Sequence, residues 1–384
     1  MIIQVSPCYV DMNSEIGGVA NVIRQICLGL HENKMKTILI CSNTELGKTV
    51  AQPAVIKFSE YLTIYVIKQN KNPLLGGGKL VRKILTSIND ISLIHIHTCF
   101  STLCDLSLQY AVKNTIPCVF TPHGKFSPAM FANKQYIKNL YFKWNLQKYL
   151  NKINEIVACS PDEKRYINQL GINNKISHIY NGYSEFVKTA LSEQIQKITT
   201  FPYLLFLGYL DTRKQPDLLI KAFSQSQSSK KFKLILAGPD SYNLLNSLKK
   251  LISSLNLEDK VIFSGRVSGY DKWYLLENSM GLFLPSTGEG WPVVIAEAIG
   301  AKVPVVISKA CNFSDVTKYG VGIEMEDFNV NKWADAIDSI CFDKEIRNVF
   351  INNLNNISKY FTWTNITKQW INKYISIINE TTVK

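Results

Sequence analysis

Two glutamates separated by seven residues, in Glu289-Gly-Trp-Pro-Val-Val-Ile-Ala-Glu297, are spaced to share one ligand. The sequence predicts strands at 281–284 and 303–307 with a helix between them, and Pro292 stands where the first helical turn should begin. Glu289 then lies in the loop at a strand's carboxyl end, while Glu297 projects from about the second helical turn, so both can reach one crevice. A carboxylate accepts two hydrogen bonds from a vicinal diol, which suits ribose and pyranose rings. The helix N-terminus offers unpaired N–H groups and partial positive charge, which suits a diphosphate. Together they suggest a nucleotide sugar. Taken alone, the two glutamates are also explained by helix electrostatics and a solvated face.

Elements able to place such residues recur along the chain. Short β-branched runs fall at 2–5, 37–41, 93–97, 118–121, 155–159 and 176–180 in the first half. In the second half they fall at 203–207, 233–237, 261–264, 281–284 and 303–307. Longer amphipathic segments follow them, the alternation of an α/β protein with two doubly wound domains. Ligands of such sheets bind at the carboxyl ends of the strands, where the winding reverses. Small or polar residues collect there: Gly17-Gly18, Pro122-His123-Gly124, Ser160, Asn181-Gly182, Gly208, Gly238-Pro239, Gly265-Arg266 and 286–290. Each is an ordinary turn former by itself; jointly they predict two edges facing an interdomain cleft.

The expected division is an N-terminal domain at 1–182, a polar linker at 183–202, a C-terminal domain at 203–359 and a terminal helix at 360–384. Trp363, Trp370 and Tyr374 carry too much aromatic surface for a solvated tail, so that helix is expected to pack back toward the N-terminal domain.

With 384 residues, 46% apolar and 19% charged, the chain has globular composition and length for two cores. A formal charge of +13 favours anionic partners, whether nucleic acid, lipid or phosphorylated small molecules. The nine cysteines are scattered and never form Cys-x-x-Cys, so buried thiols are expected rather than a disulfide framework or a zinc site. Neither an Asp-x-Asp nor a His/Asp cluster with metal-ligand spacing occurs, so no catalytic metal and no cofactor are expected. The N-terminus reads as a strand rather than a signal peptide, and no run approaches the roughly 20 apolar residues of a spanning helix. A cytoplasmic protein is expected.

The segment 133–152 carries Lys134, Lys138, Lys143, Lys148 and Lys152 without an acid, interleaved with Tyr136, Tyr141, Phe142, Trp144 and Tyr149. Such a helix either lies on an anionic membrane or packs its aromatic side on its own domain. A phosphate loop at Gly47-Lys48-Thr49 fails because Ser42 stands where its first glycine belongs. No Gly-x-Gly-x-x-Gly follows a strand, and Gly76-Gly77-Gly78 sits in a loop after Pro73, which argues against a dehydrogenase.

With Pro-Ser-Thr-Gly-Glu-Gly-Trp-Pro-Val-Val-Ile-Ala-Glu-Ala at 285–298 and Val-Pro-Val-Val at 303–306, the chain resembles retaining glycosyltransferase family 4, of the bacterial polysaccharide type. That family has the GT-B fold and a Glu-x7-Glu signature. Gly17-Gly18-Val19, Thr121-Pro122-His123-Gly124, Ser160 with Glu163, Tyr180-Asn181-Gly182, Leu207-Gly208 with Lys214, Ala237-Gly238 and Cys311-Asn312-Phe313 keep its order and spacing. The resemblance thus covers nearly the whole chain. It implies two Rossmann-like domains and transfer of a sugar from a UDP- or GDP-linked donor to a saccharide or polyprenyl-diphosphate-linked acceptor. The products it implies are surface polysaccharide or lipopolysaccharide, made at the inner face of the cytoplasmic membrane, with no nucleic-acid partner.

Residue by residue, the resemblance implies that Glu297 holds the ribose hydroxyls, Glu289 contacts the transferred sugar and Lys214 faces the diphosphate. Gly17 and Gly18 would let the backbone approach the phosphates or sugar, Gly208 and Gly290 would line the donor site, and His123 would hydrogen-bond beside the reacting sugar. Gly208-Tyr209 departs from the family's frequent Gly-Arg, and Arg213 is the candidate replacement. Lys302 and Ser314-Asp315 are further departures, from a glycine and a Pro-Glu. Retention without an obvious carboxylate nucleophile implies front-face substitution, with protein cations and helix termini in a metal's place. Two other readings stand beside this one. A sugar-nucleotide epimerase of the same fold would act on the donor alone, and a basic nucleic-acid-binding protein would lack the glutamate crevice.

Overall fold

The structure, a computed structural model, describes residues 1–13, 17–45, 48–68, 78–128, 135–184, 186 and 188–382. Two compact units are present, one formed by Met1–Asn181 with Trp363–Lys384 and the other by Gly182–Thr362. Gly47, Gly76, Gly77, residue 133 and Lys134 lie outside the described residues.

The first unit is built on β1 (Ile2–Ser6), β2 (Thr37–Ser42), β5 (Ala54–Lys57), β6 (Leu62–Ile67), β7 (Leu93–His97), β8 (Cys118–Thr121), β9 (Glu155–Ala158) and β10 (Ile176–His178). A small antiparallel hairpin of β3 (Thr44–Glu45) and β4 (Lys48–Thr49) stands apart. The sheet order is β10-β9-β8-β7-β1-β2-β6-β5, parallel throughout except that β5 runs antiparallel to β6. From β1 the chain winds outward through β2 to β6, then returns to β7 on the other side of β1, so the reversal lies between β1 and β7.

Burial on both faces explains the near-continuous apolar strands, in which Ile3, Val5, Leu39, Ile40, Ile94 and Ile96 are all buried. The helix Gly18–Glu32 buries Val22, Ile23, Ile26, Cys27 and Leu30, the spacing of one helical face. Against it packs the terminal helix Trp363–Thr382, which turns Trp363, Trp370, Tyr374 and Ile377 inward. A Cβ on Gly29 would stand 2.3 Å from Thr367 Oγ1, so this helix crossing needs glycine.

The second unit has β11 (Tyr203–Leu207), β12 (Lys233–Ala237), β13 (Val261–Gly265), β14 (Leu282–Leu284), β15 (Val305–Ser308) and β16 (Gly322–Met325). All are parallel, in the order β13-β12-β11-β14-β15-β16, with the reversal between β11 and β14. Phe206, Phe223, Leu234, Phe283, Trp333 and Ile337 fill its core.

Several elements differ from expectation. Residues 183–202, expected as a linker, belong to the second unit: Tyr183 bridges Thr362, Glu193–Ile198 is helical and capped by Ser192, and Gln194 Nε2 donates to Ser264 O at 2.8 Å. Strands β3, β4, β5, β6 and β16 were not anticipated. Residues 358–361 form a separate 3-10 turn, and the terminal helix starts at Trp363. All nine cysteines are free thiols, and seven of them are buried.

Candidate active site

The reversal between β11 and β14 is where a doubly wound sheet opens room for a ligand, and it holds five of the residues singled out in the sequence: Gly208, Arg213, Lys214, Glu289 and Gly290. After β11 the chain passes Gly208 and turns through the 3-10 segment Thr212–Lys214. After β14 it enters the loop that carries Glu289. Lys214 Nζ lies 2.7 Å from Glu289 Oε1, with the two side chains only 16% and 18% exposed. Thr287 fastens the two loops together, its N–H and hydroxyl both donating to Arg213 O at 2.7 and 3.1 Å. On its far side the Glu289 loop is fixed to the segment after β15, where Glu289 N donates to Ala310 O and Asn312 Nδ2 donates to Glu289 O.

Glycine at 208 leaves room for the lysine: a Cβ there would lie 3.4 Å from Lys214 Cδ. Gly238 behind it is obligatory, with φ of 149° and a Cβ position 1.8 Å from Gly208 O. Arg213 turns to Asp211, its Nε donating to Oδ2 at 2.9 Å. Burial alone would raise the Asp211 carboxyl, but hydrogen bonds from the Arg213 side chain and backbone outweigh it and hold it below the usual range. Gly290 follows Glu289 and precedes Trp291, which is buried in a stack on Phe361 with centroids 6.1 Å apart. Burial pushes the Cys311 thiol up to about 12, so no thiolate competes with Glu289.

Glu297 sits on the helix Val293–Gly300, which Pro292 precedes as N-cap rather than opening as its first residue. It is buried against Lys272 of the helix Gly269–Glu277, with Nζ 2.8 Å from Oε1. Sequence reasoning missed Lys272. Its only signal was a lysine at an otherwise inward-facing position beside Trp273, Leu275 and Leu276. Trp273 stacks on Tyr183 at 6.0 Å, and Tyr183 covers Gly300, where a Cβ would stand 2.4 Å from its ring.

The first unit answers with a different construction. Gly17, at φ 61°, caps the helix Gly18–Glu32 without a side-chain bond, and a Cβ on Gly18 would meet nothing within 4 Å. His123, at φ 51°, belongs to a chain of hydrogen bonds that crosses the sheet. Gln4 Nε2 donates to Tyr374 Oη at 3.2 Å, so Tyr374 donates to His95 Nδ1 at 2.7 Å and His95 Nε2 donates to Thr121 at 2.9 Å. Gln4 Oε1 accepts from His97 Nε2 at 2.8 Å, which leaves His97 Nδ1 to accept from His123 Nε2 at 2.9 Å. The Cys159 thiol then donates to His123 Nδ1 at 3.4 Å.

All three rings are neutral in this arrangement. Burial pulls His95 and His97 far below the ordinary histidine range, and burial with the Lys125 charge brings His123 down to about 3. His123, expected to hydrogen-bond beside a sugar, thus has both ring nitrogens engaged within its own unit. Glu163 ties the turn together by accepting from Gly124 N and, at 2.7 Å, from Cys159 N. Gln4, Tyr374 and Cys159 were not foreseen in this network.

Among the described residues no group of three or more His, Cys, Asp or Glu is placed to hold a metal ion. No described helix is long and apolar enough to cross a membrane.

Residues 16–185 match the family model "Glycosyltransferase Family 4", and residues 187–356 match "Glycosyl transferases group 1". An uncharacterized glycosyltransferase of Methanocaldococcus jannaschii is 28% identical over 56% of this chain and 55% of its own. An O-antigen chain mannosyltransferase of Salmonella typhimurium is 27% identical over 53% of this chain and 56% of its own. The match therefore spans little more than half the length of these relatives. The crystal structure of Anabaena HepE in complex with UDP-glucose superposes with a TM-score of 0.75 at 19% identity, covering 98% of this chain and 100% of that one. On the two family matches and the paired Rossmann-like domains, the chain belongs to the family 4 glycosyltransferases of the GT-B fold.

Proposed function

We propose that the protein is a retaining glycosyltransferase that moves a sugar from a UDP- or GDP-linked donor to a saccharide or lipid-linked acceptor in the synthesis of bacterial surface polysaccharide or lipopolysaccharide. The observation that carries this reading is the Lys214–Glu289 contact at the reversal between β11 and β14. An ammonium has three N–H donors, and Glu289 occupies one, so two remain for diphosphate oxygens. Positive charge placed there acts most strongly as the sugar–phosphate bond breaks and negative charge builds on the departing diphosphate. Glu289 accepts from hydroxyls of the sugar being moved, and Glu297 from those of the nucleotide ribose. Gly208 and Gly290 keep side chains away from the donor. Arg213, bonded to Asp211, lends its charge to the site at longer range.

Substitution occurs on the front face, with the departing phosphate oxygen taking the acceptor proton, and the protein cations make a divalent metal unnecessary. His123 Nδ1 is held only by a weak thiol donor, so a sugar hydroxyl can displace Cys159 and use that nitrogen as acceptor. Membrane contact belongs to the helix Gln135–Tyr141 and the π-helical turn Phe142–Leu146. There Phe142 and Leu146 face the core while Tyr136, Ile137, Leu140 and Trp144 are exposed beside Lys138, Lys143 and Lys148. That arrangement suits an anionic lipid surface and a cytoplasmic enzyme bound at the inner face of the membrane.

A thermal-shift screen of UDP-, GDP- and other nucleotide sugars identifies the donor, because a ligand of the native state raises apparent stability. Glu289→Ala and Glu297→Ala are then assayed for transfer. Wild-type turnover in either folded variant removes that residue from the mechanism, and donor isomerisation without acceptor replaces the reading by an epimerase.

A further inference from the structure

We propose that Lys272 is a positioning residue for nucleotide recognition, holding the Glu297 carboxylate through one oxygen so that its second oxygen is aimed at the ribose hydroxyls. This rests on the reading that Glu297 binds the ribose. Among the described residues Glu297 accepts from Lys272 alone, and only at Oε1. Oε2 therefore keeps its lone pairs for a ligand. Both side chains are about nine-tenths buried, and without the ammonium no described side chain would hold the carboxylate in place.

The lysine is itself held from two directions. Its ammonium lies 5.4 Å from the centroid of the Phe186 ring. The next residue, Trp273, is locked through Tyr183 onto Gly300, the end of the helix that carries Glu297. The two helices are thus fastened at the ion pair and again, through Tyr183, between Trp273 and Gly300, which holds Lys272 against the carboxylate. Lys272 acts through Glu297 and does not touch the nucleotide.

The test is the binding of UDP, GDP, ADP and CDP and of their 2′-deoxy counterparts, measured by calorimetry. A hydrogen bond to a charged group makes wild type prefer the best ribonucleotide over its deoxy form by about tenfold to a hundredfold. Lys272→Met is expected to cut that preference to about threefold or less, and Lys272→Arg to retain most of it. Glu297→Gln sets the reference, and adding Lys272→Met to it should change the preference no further. Should Lys272→Met fail to fold, Lys272→Gln carries the same expectation. An unchanged preference in Glu297→Gln, or no nucleotide bound by wild type, overturns the ribose reading itself. A collapsed preference in Glu297→Gln with a wild-type preference in Lys272→Met and Lys272→Gln, even if they melt earlier, overturns the role of Lys272 and leaves the ribose reading standing.

Discussion

Beside their sheet reversals the two domains organise buried polar groups in opposite ways. Around β1 and β7 the polar side chains are neutral and spend their hydrogen-bonding capacity on one another, from Cys159 through His123 and His97 to Gln4, and from there to Tyr374, His95 and Thr121. Around β11 and β14 they are charged and paired, and each pair leaves capacity over: two N–H groups on Lys214 and one oxygen on Glu297. A satisfied neutral network gives rigidity and a fixed proton arrangement. A charged pair with spare valence gives a place for a ligand. The proposed donor contacts of Lys214 and Glu297 thus draw on spare capacity, whereas a ligand of His123 would have to displace the Cys159 thiol.

The sharpest way to break this contrast is Lys214→Ala. Losing one preorganised transition-state donor costs roughly a hundredfold to a thousandfold in kcat, with donor KM changed far less, as steady-state transfer assays would register. A fall confined to KM would make Lys214 a binding group only. Next in size is Tyr374→Phe, which takes the hydroxyl from between Gln4 and His95. Leaving buried partners unsatisfied costs about 1 to 3 kcal/mol, read as a lower urea midpoint for the first domain through Trp363 and Trp370. Nucleotide affinity should not move.

Acid provides a third measurement. His95, His97 and His123 have depressed pKa values, so the folded domain stays neutral where the unfolded chain protonates, below about pH 6.5. Their stabilisation is complete above that pH and is withdrawn as pH falls. Burial raises Asp105 to about 7, so it holds a proton the unfolded chain has released and opposes the trend, and the upward shift of Glu163 acts in the same direction. Three groups against two leave a net uptake of one to two protons on unfolding, roughly 1.4 to 2.7 kcal/mol lost per pH unit between about pH 6 and 5. A first-domain urea midpoint that is level or rises over that interval would mean the rings are already charged. The smallest effect is expected of Arg213→Gln. Its half-exposed pair with Asp211 is worth under about 1 kcal/mol, so turnover should drop less than tenfold. A loss as large as that of Lys214→Ala would make Arg213 the second diphosphate cation.

Much of this was legible in the residues. Eleven β-branched runs correspond to strands because parallel strands buried on both faces leave an apolar imprint. Of the ones overlooked, β5 is exposed along its length and β16 opens with Gly322, so both lack that imprint, whereas Leu62–Ile67 carries it but has no amphipathic helix directly before it. Glu289 and Lys214 could be matched by motif, since both stand at strand ends. Lys272 could not, because a lysine on a helix reads as solvated until its partner on another helix is known. Gln4, His95, His97 and Tyr374 were equally opaque, being up to 370 positions apart and joined only by the sheet and the terminal helix.

The last helix of the chain carries a genetic consequence. Residues 1–181 lack Tyr374, Trp363 and Trp370 until the chain has run through the second domain and returned at Trp363. In terms of heredity the second domain is an insertion with two junctions, near residues 182 and 362, rather than a downstream module. Recombination at a single crossover would separate Gln4 and His95 from the tyrosine hydroxyl that joins them, so exchange of second domains between relatives should succeed when both junctions move together.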